Sequence, residues 1–127
     1  MKPTVLVIED DADILDNLQE ILELKGLEVY TATNGQEGLQ LASEVKPDLI
    51  ISDVMMPSMD GFEMLDALRR VSGETAMVPF IFLTARAQTI DQLRGAAAGA
   101  DRYLIKPFDT PSLLQAVREC LLLKWEL

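Results

Sequence analysis

The sequence predicts an α/β fold in which a doubly wound, five-stranded parallel sheet lies between two layers of helices. Short runs rich in Val, Ile and Phe alternate with longer stretches of helical periodicity, a pattern typical of repeated strand-helix units. Five such units fit into 127 residues, so we expect a single domain over residues 1–127. Acidic, hydroxyl and basic residues also fall at the predicted carboxyl ends of strands, where doubly wound sheets bind ligands.

The first two units each combine a short buried strand with an amphipathic helix. We expect strands over Thr4–Ile8 and Glu28–Ala32. The first helix should stop at Lys25-Gly26, since glycine favours helix ends, and the second should open at Asn34-Gly35 and close before Pro47. The residues expected to face inward are Ile14, Leu18, Ile21 and Leu22 in the first helix, and Leu39, Ala42 and Val45 in the second.

The remaining units follow the same alternation. We expect strands over 48–52, 79–83 and 102–105. A helix through Phe62, Leu65 and Leu68 follows the loop 56–61, and an Ala-rich helix is expected roughly over 89–98, ending at Gly99. Asp109 can cap a last helix, which tolerates Pro111 in its first turn.

Composition excludes several classes of function. Eleven basic and 21 acidic residues give a net charge of -10 and a pI near 4.3, so we expect no direct nucleic acid binding by this domain. With Cys120 as the single cysteine and no histidine, an internal disulfide, a Cys/His zinc site and a histidine-based catalytic triad are excluded, and Cys120 should fill core. No apolar segment resembles a signal peptide or a membrane span, so we expect a cytoplasmic protein that does not engage a membrane.

Residues able to carry chemistry follow four of the five predicted strands. They are Glu9, Asp10 and Asp11 after the first strand, Asp53 after the third, Thr84 after the fourth and Lys106 after the fifth. The acids could meet in one pocket, where like charges repel and raise a pKa unless a cation or phosphoryl chemistry uses the crowding. The second strand ends in Thr31-Ala32-Thr33, which suggests an edge position and is consistent with the order 2-1-3-4-5.

Together these residues resemble the receiver domain of bacterial two-component response regulators. The motifs that carry the resemblance are Glu9-Asp10-Asp11, Asp53 with Met56-Pro57 and Asp60-Gly61, Thr84-Ala85, and Lys106-Pro107-Phe108. They cover essentially the whole chain, and four sites in this order are a specific signal. Receiver domains are themselves known for a flavodoxin-like sheet of order 2-1-3-4-5, so this order is implied by the resemblance and is not an independent prediction.

The resemblance implies a phosphoacceptor and a metal site. Asp53 would be the phosphoacceptor, whose carboxylate attacks a phosphohistidine to give an acyl phosphate. Asp10 and Asp53 would hold Mg²⁺, with Glu9 reaching the ion through water and the Met55 carbonyl as a backbone ligand, a set that suits the preference of Mg²⁺ for oxygen.

The resemblance also implies a switch. Lys106 would pair with the phosphoryl oxygens, and the Thr84 hydroxyl would hydrogen-bond one of them after phosphorylation. The Lys106-Pro107 bond is a candidate cis peptide. Tyr103 matches the family's switch aromatic, which swings inward when Thr84 moves, so phosphorylation would alter the surface of the fourth predicted helix, the fifth strand and the last helix.

The implied partners are a histidine kinase or phosphotransfer protein, and a downstream protein or fused output domain. The domain would be a monomer or weak homodimer, with self-phosphorylation and slow self-dephosphorylation but no turnover as an enzyme. Met55, two residues beyond Asp53, is apolar and offers an attacking water no hydrogen bond, which predicts a long-lived phosphoryl group. Arg102, Ser112 and Ala116 depart from the charge pattern of the family's winged-helix transcription factors, so their ion-paired dimer is not expected.

Several features have simpler interpretations. Asp11 stands where the first helix starts and should cap it. Asp48 should serve a turn or surface role, and Asp60-Gly61 should only mark the transition from loop to helix. The methionines, Met55, Met56, Met59 and Met64, should fill gaps in loop and core.

Three other functions would require different residues or a different use of the same fold. An aspartyl-nucleophile phosphohydrolase would need an acid two residues after Asp53, where Met55 stands. A flavodoxin-like electron carrier would need a Gly-rich or hydroxyl-rich phosphate loop where this chain has Glu9-Asp10-Asp11. A phosphorylation-independent scaffold of the same fold remains open, because only an assay separates it from a switch.

Overall fold

The computed structural model describes residues 2–56, 59–71, 73–84 and 99–122. Its strands are β1 (Thr4–Ile8), β2 (Glu28–Ala32), β3 (Leu49–Asp53), β4 (Phe80–Thr84) and β5 (Arg102–Ile105). The α-helices of these ranges are α1 (Ala12–Leu24), α2 (Gly35–Val45), α3 (Gly61–Arg70) and α4 (Thr110–Leu122), with a short 3₁₀ helix over Glu74–Met77. The strands are parallel in the order β2-β1-β3-β4-β5, as predicted. The helix expected over 89–98, like Pro57 and Ala85, lies outside the described residues.

Apolar side chains cover both faces of the sheet, which explains the continuous apolar runs of the central strands. Alternate residues of β1 point to opposite faces, so that Val5 and Val7 pack with α1 and α4, whereas Leu6 and Ile8 pack with α2 and α3. Cys120 is buried in the first of these two cores, as expected. The result is the predicted three-layer α/β/α arrangement.

Side-chain caps fix where the helices begin. The Asp11 carboxylate accepts the backbone N–H groups of Asp13 and Ile14 at 3.0 and 3.2 Å, which confirms its role as a cap. Asn34 caps α2 in the same way, Asp109 accepts the Ser112 N–H at 2.7 Å, and Asp60 forms a capping box with Glu63 at the start of α3. These polar residues therefore delimit the helices that the sequence predicted.

Two strand predictions were wrong by one residue. β3 covers Leu49–Asp53 and not 48–52, and β4 covers Phe80–Thr84 and not 79–83. The ladder between the two strands continues one step further than expected, because Asp53 pairs with Leu83 and the Val54 N–H donates to the Leu83 carbonyl at 3.0 Å. Asp53 and Thr84 are thus held within the sheet as the last residues of their strands.

Two further expectations need correction. Asp48 does more than turn the chain: its carboxylate accepts the Thr4 N–H at 2.8 Å and its own N–H donates to the Thr4 carbonyl, which ties the starts of β1 and β3 together. Val45 is only half-buried, and α2 buries Gly35 and Gly38 beside Ala42, because its close packing leaves room for small residues. None of the helices in the described ranges has the length and apolar character needed to cross a membrane.

Candidate functional site

The predicted site residues meet at the carboxyl edge of the sheet. Glu9 follows β1 and is fully buried, and its N–H donates to the Ala32 carbonyl at the end of β2. Asp53 and Thr84 end β3 and β4, and are 7% and 6% exposed. Lys106 follows β5, and its N–H donates to the Thr84 carbonyl at 2.7 Å. Strand pairing therefore brings together residues that are up to 97 positions apart in the sequence.

Three carboxylates form one cluster at this edge. Glu9, Asp10 and Asp53 each offer an oxygen, and these atoms lie within 4.8 Å of one another. Asp10 is exposed while the other two are buried, so the cluster opens to solvent on one side. Carboxylate oxygens with room for water are the ligands that Mg²⁺ prefers, and the donor set therefore fits a magnesium ion.

Lys106 is the cation that the structure brings into this cluster. Its Nζ lies 2.6 Å from Glu9 Oε1 and 3.2 Å from Asp53 Oδ2. Burial by itself would lower the pKa of Lys106, but the two carboxylates outweigh it and raise that pKa. Among the described residues, one lysine lies beside three acids, so that negative charge is in excess there.

The pKa of Glu9 reflects both its burial and the charges around it. The pKa of Glu9 is raised to about 7; burial is the largest cause, and the charge of Asp53 acts in the same direction. Hydrogen bonds from Lys106 and from the Asp11 N–H, the latter at 3.2 Å, act in the opposite direction. The crowding expected from the sequence is therefore present, although burial contributes more to it than the neighbouring charge does.

The backbone beyond β3 holds the Asp53 carboxylate. The Met55 N–H donates to Asp53 Oδ1 at 3.3 Å, while the Met55 side chain is 75% exposed. The buried Ser52 hydroxyl donates to the Asp53 carbonyl at 3.1 Å. Met56 and Met64 are buried and Met59 packs against the same core, so the expectation that methionines fill gaps holds for these three and not for Met55. The metal-ligand role of the Met55 carbonyl stays a prediction.

Thr84 and Tyr103 lie on one face of the sheet. Tyr103 pairs with Phe82 in the β4-β5 register, and Thr84 pairs with Ile105, so that alternation directs both side chains the same way. The half-buried Tyr103 ring packs on Phe82, with ring centroids 5.7 Å apart. The Lys106-Pro107 peptide bond is cis, as predicted.

Sequence reasoning missed one neighbour of the phosphoacceptor candidate. Gly61 was predicted only to mark the transition from loop to helix. Its N–H donates to the carbonyl of Val54, the residue that follows Asp53, at 2.9 Å. No local signal in the sequence marks this contact, because it depends on how closely the start of α3 approaches the end of β3.

Comparisons with known proteins agree with this geometry. The model of the response regulator receiver domain family matches residues 5–118. The chain is 43% identical over 119 residues to the transcriptional regulatory protein PrrA of Mycobacterium tuberculosis, covering 94% of this chain and 50% of PrrA. It is also 43% identical over 119 residues to the DNA-binding dual master transcriptional regulator RpaA of Synechocystis sp., covering 94% of this chain and 49% of RpaA. The chain thus spans about half the length of these curated relatives.

A solved structure shows the same fold. The chemotaxis response regulator CheY4 of Vibrio cholerae superposes with a TM-score of 0.88 at 35% identity, covering 94% of this chain and 99% of that one. Sequence and structure therefore agree over nearly the whole length, and the chain belongs to the family of receiver domains of two-component response regulators.

Proposed function

We propose that this domain is the phosphoacceptor switch of a two-component phosphorelay, in which Asp53 accepts a phosphoryl group from a histidine kinase or a phosphotransfer protein. The observation that carries the proposal is the contact of Lys106 Nζ with both Glu9 and Asp53, at 2.6 and 3.2 Å, inside a cluster of three carboxylates. Lys106 already lies beside Asp53, the proposed nucleophile. A divalent cation would neutralise the negative charge of the cluster that Lys106 leaves uncompensated.

The transfer step follows from the residues of this edge. A carboxylate oxygen of Asp53 attacks phosphorus, the phosphorus–nitrogen bond of phosphohistidine breaks with its electrons on the imidazole, and an acyl phosphate forms. Mg²⁺, held by Asp10, Asp53, the Met55 carbonyl and, through water, Glu9, would neutralise charge on the phosphoryl oxygens. Lys106 then donates to a phosphoryl oxygen as a compact positive charge.

The switch would run from Thr84 to Tyr103. The Thr84 hydroxyl moves to a phosphoryl oxygen, and the space that it leaves favours an inward Tyr103. This would alter the surface formed by the helix expected over 89–98, β5 and α4. One new charge at Asp53 thereby biases a two-state element on the same face of the sheet.

The proposed setting is that of a regulator with an output region. The relatives PrrA and RpaA are transcriptional regulators about twice as long as this chain, which supports a fused output domain as the downstream partner. RpaA is named as DNA-binding, so the expectation of no nucleic acid contact applies to this acidic domain and not to a longer protein that contains it. We place the domain in the cytoplasm, where ATP-dependent kinases act, as an acceptor and not as a turnover enzyme.

Incubation with acetyl phosphate and Mg²⁺, followed by intact mass measurement, tests the proposal. We expect one added phosphoryl group on the parent and on Asp16→Ala, which removes an exposed acid of α1, but none on Asp53→Ala. No addition to the folded parent would favour a phosphorylation-independent scaffold. Equal addition to Asp53→Ala would assign the acceptor to another residue.

Amide NMR with beryllofluoride and Mg²⁺, a phosphoryl mimic, tests the switch. We expect shifts at Arg102 and Tyr103 of the parent, and much smaller shifts there in Thr84→Ala because the hydroxyl that moves is gone. Thr31→Ala, a matched change near the end of the edge strand β2, should behave as the parent does. Unchanged shifts at Tyr103 in the parent would contradict the switch.

A further inference from the structure

The first residue of α3 lies against the backbone of the proposed phosphoacceptor. A Cβ atom built on Gly61 would lie 2.5 Å from the Asp53 carbonyl oxygen, 3.1 Å from the Val54 Cα and 2.7 Å from Phe82 Cε1. Real Cβ atoms essentially never approach other heavy atoms within 3.0 Å, so any side chain at this position would force a movement.

The atoms around Gly61 cannot move independently. Asp53 is paired with Leu83 in the sheet, and the next N–H, that of Val54, donates to the Leu83 carbonyl at 3.0 Å. The Phe82 ring is fully buried and lies 4.9 Å from the rings of both Phe62 and Phe80. A methyl group at position 61 would therefore displace the backbone near Asp53 or the start of α3, because no flexible side chain can yield instead.

The same contact closes the loop that holds the Asp53 carboxylate. The Gly61 N–H donates to the Val54 carbonyl at 2.9 Å, which ties the start of α3 to the residue that follows β3. Met55 begins this loop and donates its N–H to Asp53 Oδ1 at 3.3 Å. A shift at Gly61 would thus change the position of the Met55 peptide relative to the carboxylate.

We propose that Gly61 is a positioning residue for Asp53. Because Gly61 has no side chain, α3 can begin in contact with the Asp53 peptide. This contact keeps the Asp53 carboxylate and the Met55 peptide in the arrangement that binds metal and accepts a phosphoryl group. This inference rests on the proposed function. Gly61 does not have a left-handed φ, unlike Gly26, so the close approach and not the backbone conformation requires glycine there.

Gly61→Ala, compared with Gly26→Ala, tests the inference. Gly26 follows α1 with φ +83° and has nothing within 4 Å of its Cβ position, so alanine there strains the backbone away from the site. In a Mg²⁺ titration followed by the amide resonances of Asp53 and Met55, we expect half-saturation at about tenfold higher Mg²⁺ in Gly61→Ala and at the parental concentration in Gly26→Ala. At saturating Mg²⁺ and equal folded fraction, phosphorylation by acetyl phosphate should be about tenfold slower in Gly61→Ala alone.

The outcomes separate this inference from the proposed function. A parental Mg²⁺ midpoint and rate in Gly61→Ala, or equal losses in both variants, would overturn the role of Gly61. If the parent bound Mg²⁺ without being phosphorylated, and the two variants still differed in Mg²⁺ binding, the phosphoacceptor role would fail while that of Gly61 stood. A parent that bound no Mg²⁺ would overturn both.

A second measurement keeps the test usable if Gly61→Ala is poorly folded. Sucrose is excluded from protein surfaces and favours the folded state without contacting the site. In sucrose, Gly61→Ala should show the same rise in Mg²⁺ midpoint relative to the parent in the same solution. Equal midpoints in these two samples would overturn the inference.

Discussion

A single lysine sets the electrostatics of the site. Lys106 contacts Glu9 and Asp53, but among the described residues it is one positive charge beside three clustered carboxylates. Any ligand that brings further negative charge needs additional positive charge beside Asp53. The proposed dependence on Mg²⁺ follows from this excess of negative charge.

Met55 is predicted to control how long the phosphoryl group lasts. Its side chain is 75% exposed and has no polar group to orient water, whereas Met55→Asn adds a donor and an acceptor at the same place. If the amide gains one hydrogen bond of about 1 kcal/mol in the hydrolytic transition state, the phosphoryl group should be lost about fivefold faster.

The decay of phosphorylated protein, followed by intact mass after acetyl phosphate is removed, measures this effect. Met55→Leu is the matched control, because it stays apolar and should decay at the parental rate. Faster loss from the parent than from Met55→Asn would contradict the prediction.

Single residues also mark what the sequence can and cannot predict. The acids, Thr84 and Lys106 were identified from their places at strand ends, because parallel pairing forces those ends to one edge. The role of Gly61 was missed because it depends on a distance between the start of α3 and the Asp53 carbonyl, which no local pattern encodes. The dominance of burial in the pKa of Glu9 likewise required the packed structure.

One side chain joins several elements at the end of α3. The Arg69 guanidinium donates to the carbonyls of Ala76, Val78 and Gly99, at 3.1, 2.5 and 2.7 Å. The neighbouring Asp101, 3.8 Å from it, accepts the Phe80 N–H and so joins the starts of β4 and β5. Arg69 therefore connects α3, the segment before β4 and the turn before β5.

Loss of Arg69 should destabilise the whole fold. Arg69→Ala removes three charge-assisted hydrogen bonds and leaves partly buried carbonyls without this donor, which should lower the free energy of unfolding by about 3 kcal/mol. The adjacent Arg70 is a matched control: its side chain is 78% exposed and pairs only on the surface with Asp66, at 3.0 Å. Arg70→Ala should change the free energy of unfolding by less than about 0.5 kcal/mol.

Urea unfolding of the two variants measures both values. Arg69→Lys should recover little stability, because one ammonium group cannot reach the three carbonyls with the planar geometry of a guanidinium. Equal losses in Arg69→Ala and Arg70→Ala would show that the contacts of Arg69 contribute little.

Strand and helix identities followed from periodicity and caps, and β1, β2 and β5 have the predicted bounds. β3 and β4 were each predicted one residue too early, because their ends depend on the hydrogen bond from Val54 to Leu83 between strands that are distant in sequence. α2 was expected to bury Val45, which is only half-buried. The helix instead buries Gly38, where a Cβ atom would collide with the Ile8 side chain. The distance between α2 and the sheet therefore decides which residues of α2 face inward.

The whole molecule carries a large negative charge. The net charge is -10, and the exposed pair of Arg102 and Glu119, 2.6 Å apart, lies within one chain and joins β5 to α4. Charges already paired in this way are less available to a second copy, and the acidic surfaces repel. A monomer or weak homodimer stays the expectation for this domain.

Mg²⁺ should stabilise the whole molecule, because its proposed site is a cluster that exists only when β1 and β3 are paired. A ligand that binds only the folded state adds RT ln(1 + [L]/Kd), which is about 2.7 kcal/mol when its concentration is about 100 times the Kd. Thermal unfolding with Mg²⁺, at ionic strength matched by NaCl, should therefore show a higher midpoint in the parent and in Asp16→Asn, whose exposed acid lies outside the cluster.

Asp10→Asn should lose most of this gain, yet without metal it should be at least as stable as the parent, since one of three repelling carboxylates is gone. Equal gains in Asp10→Asn and the parent would mean that Mg²⁺ acts elsewhere on the acidic surface.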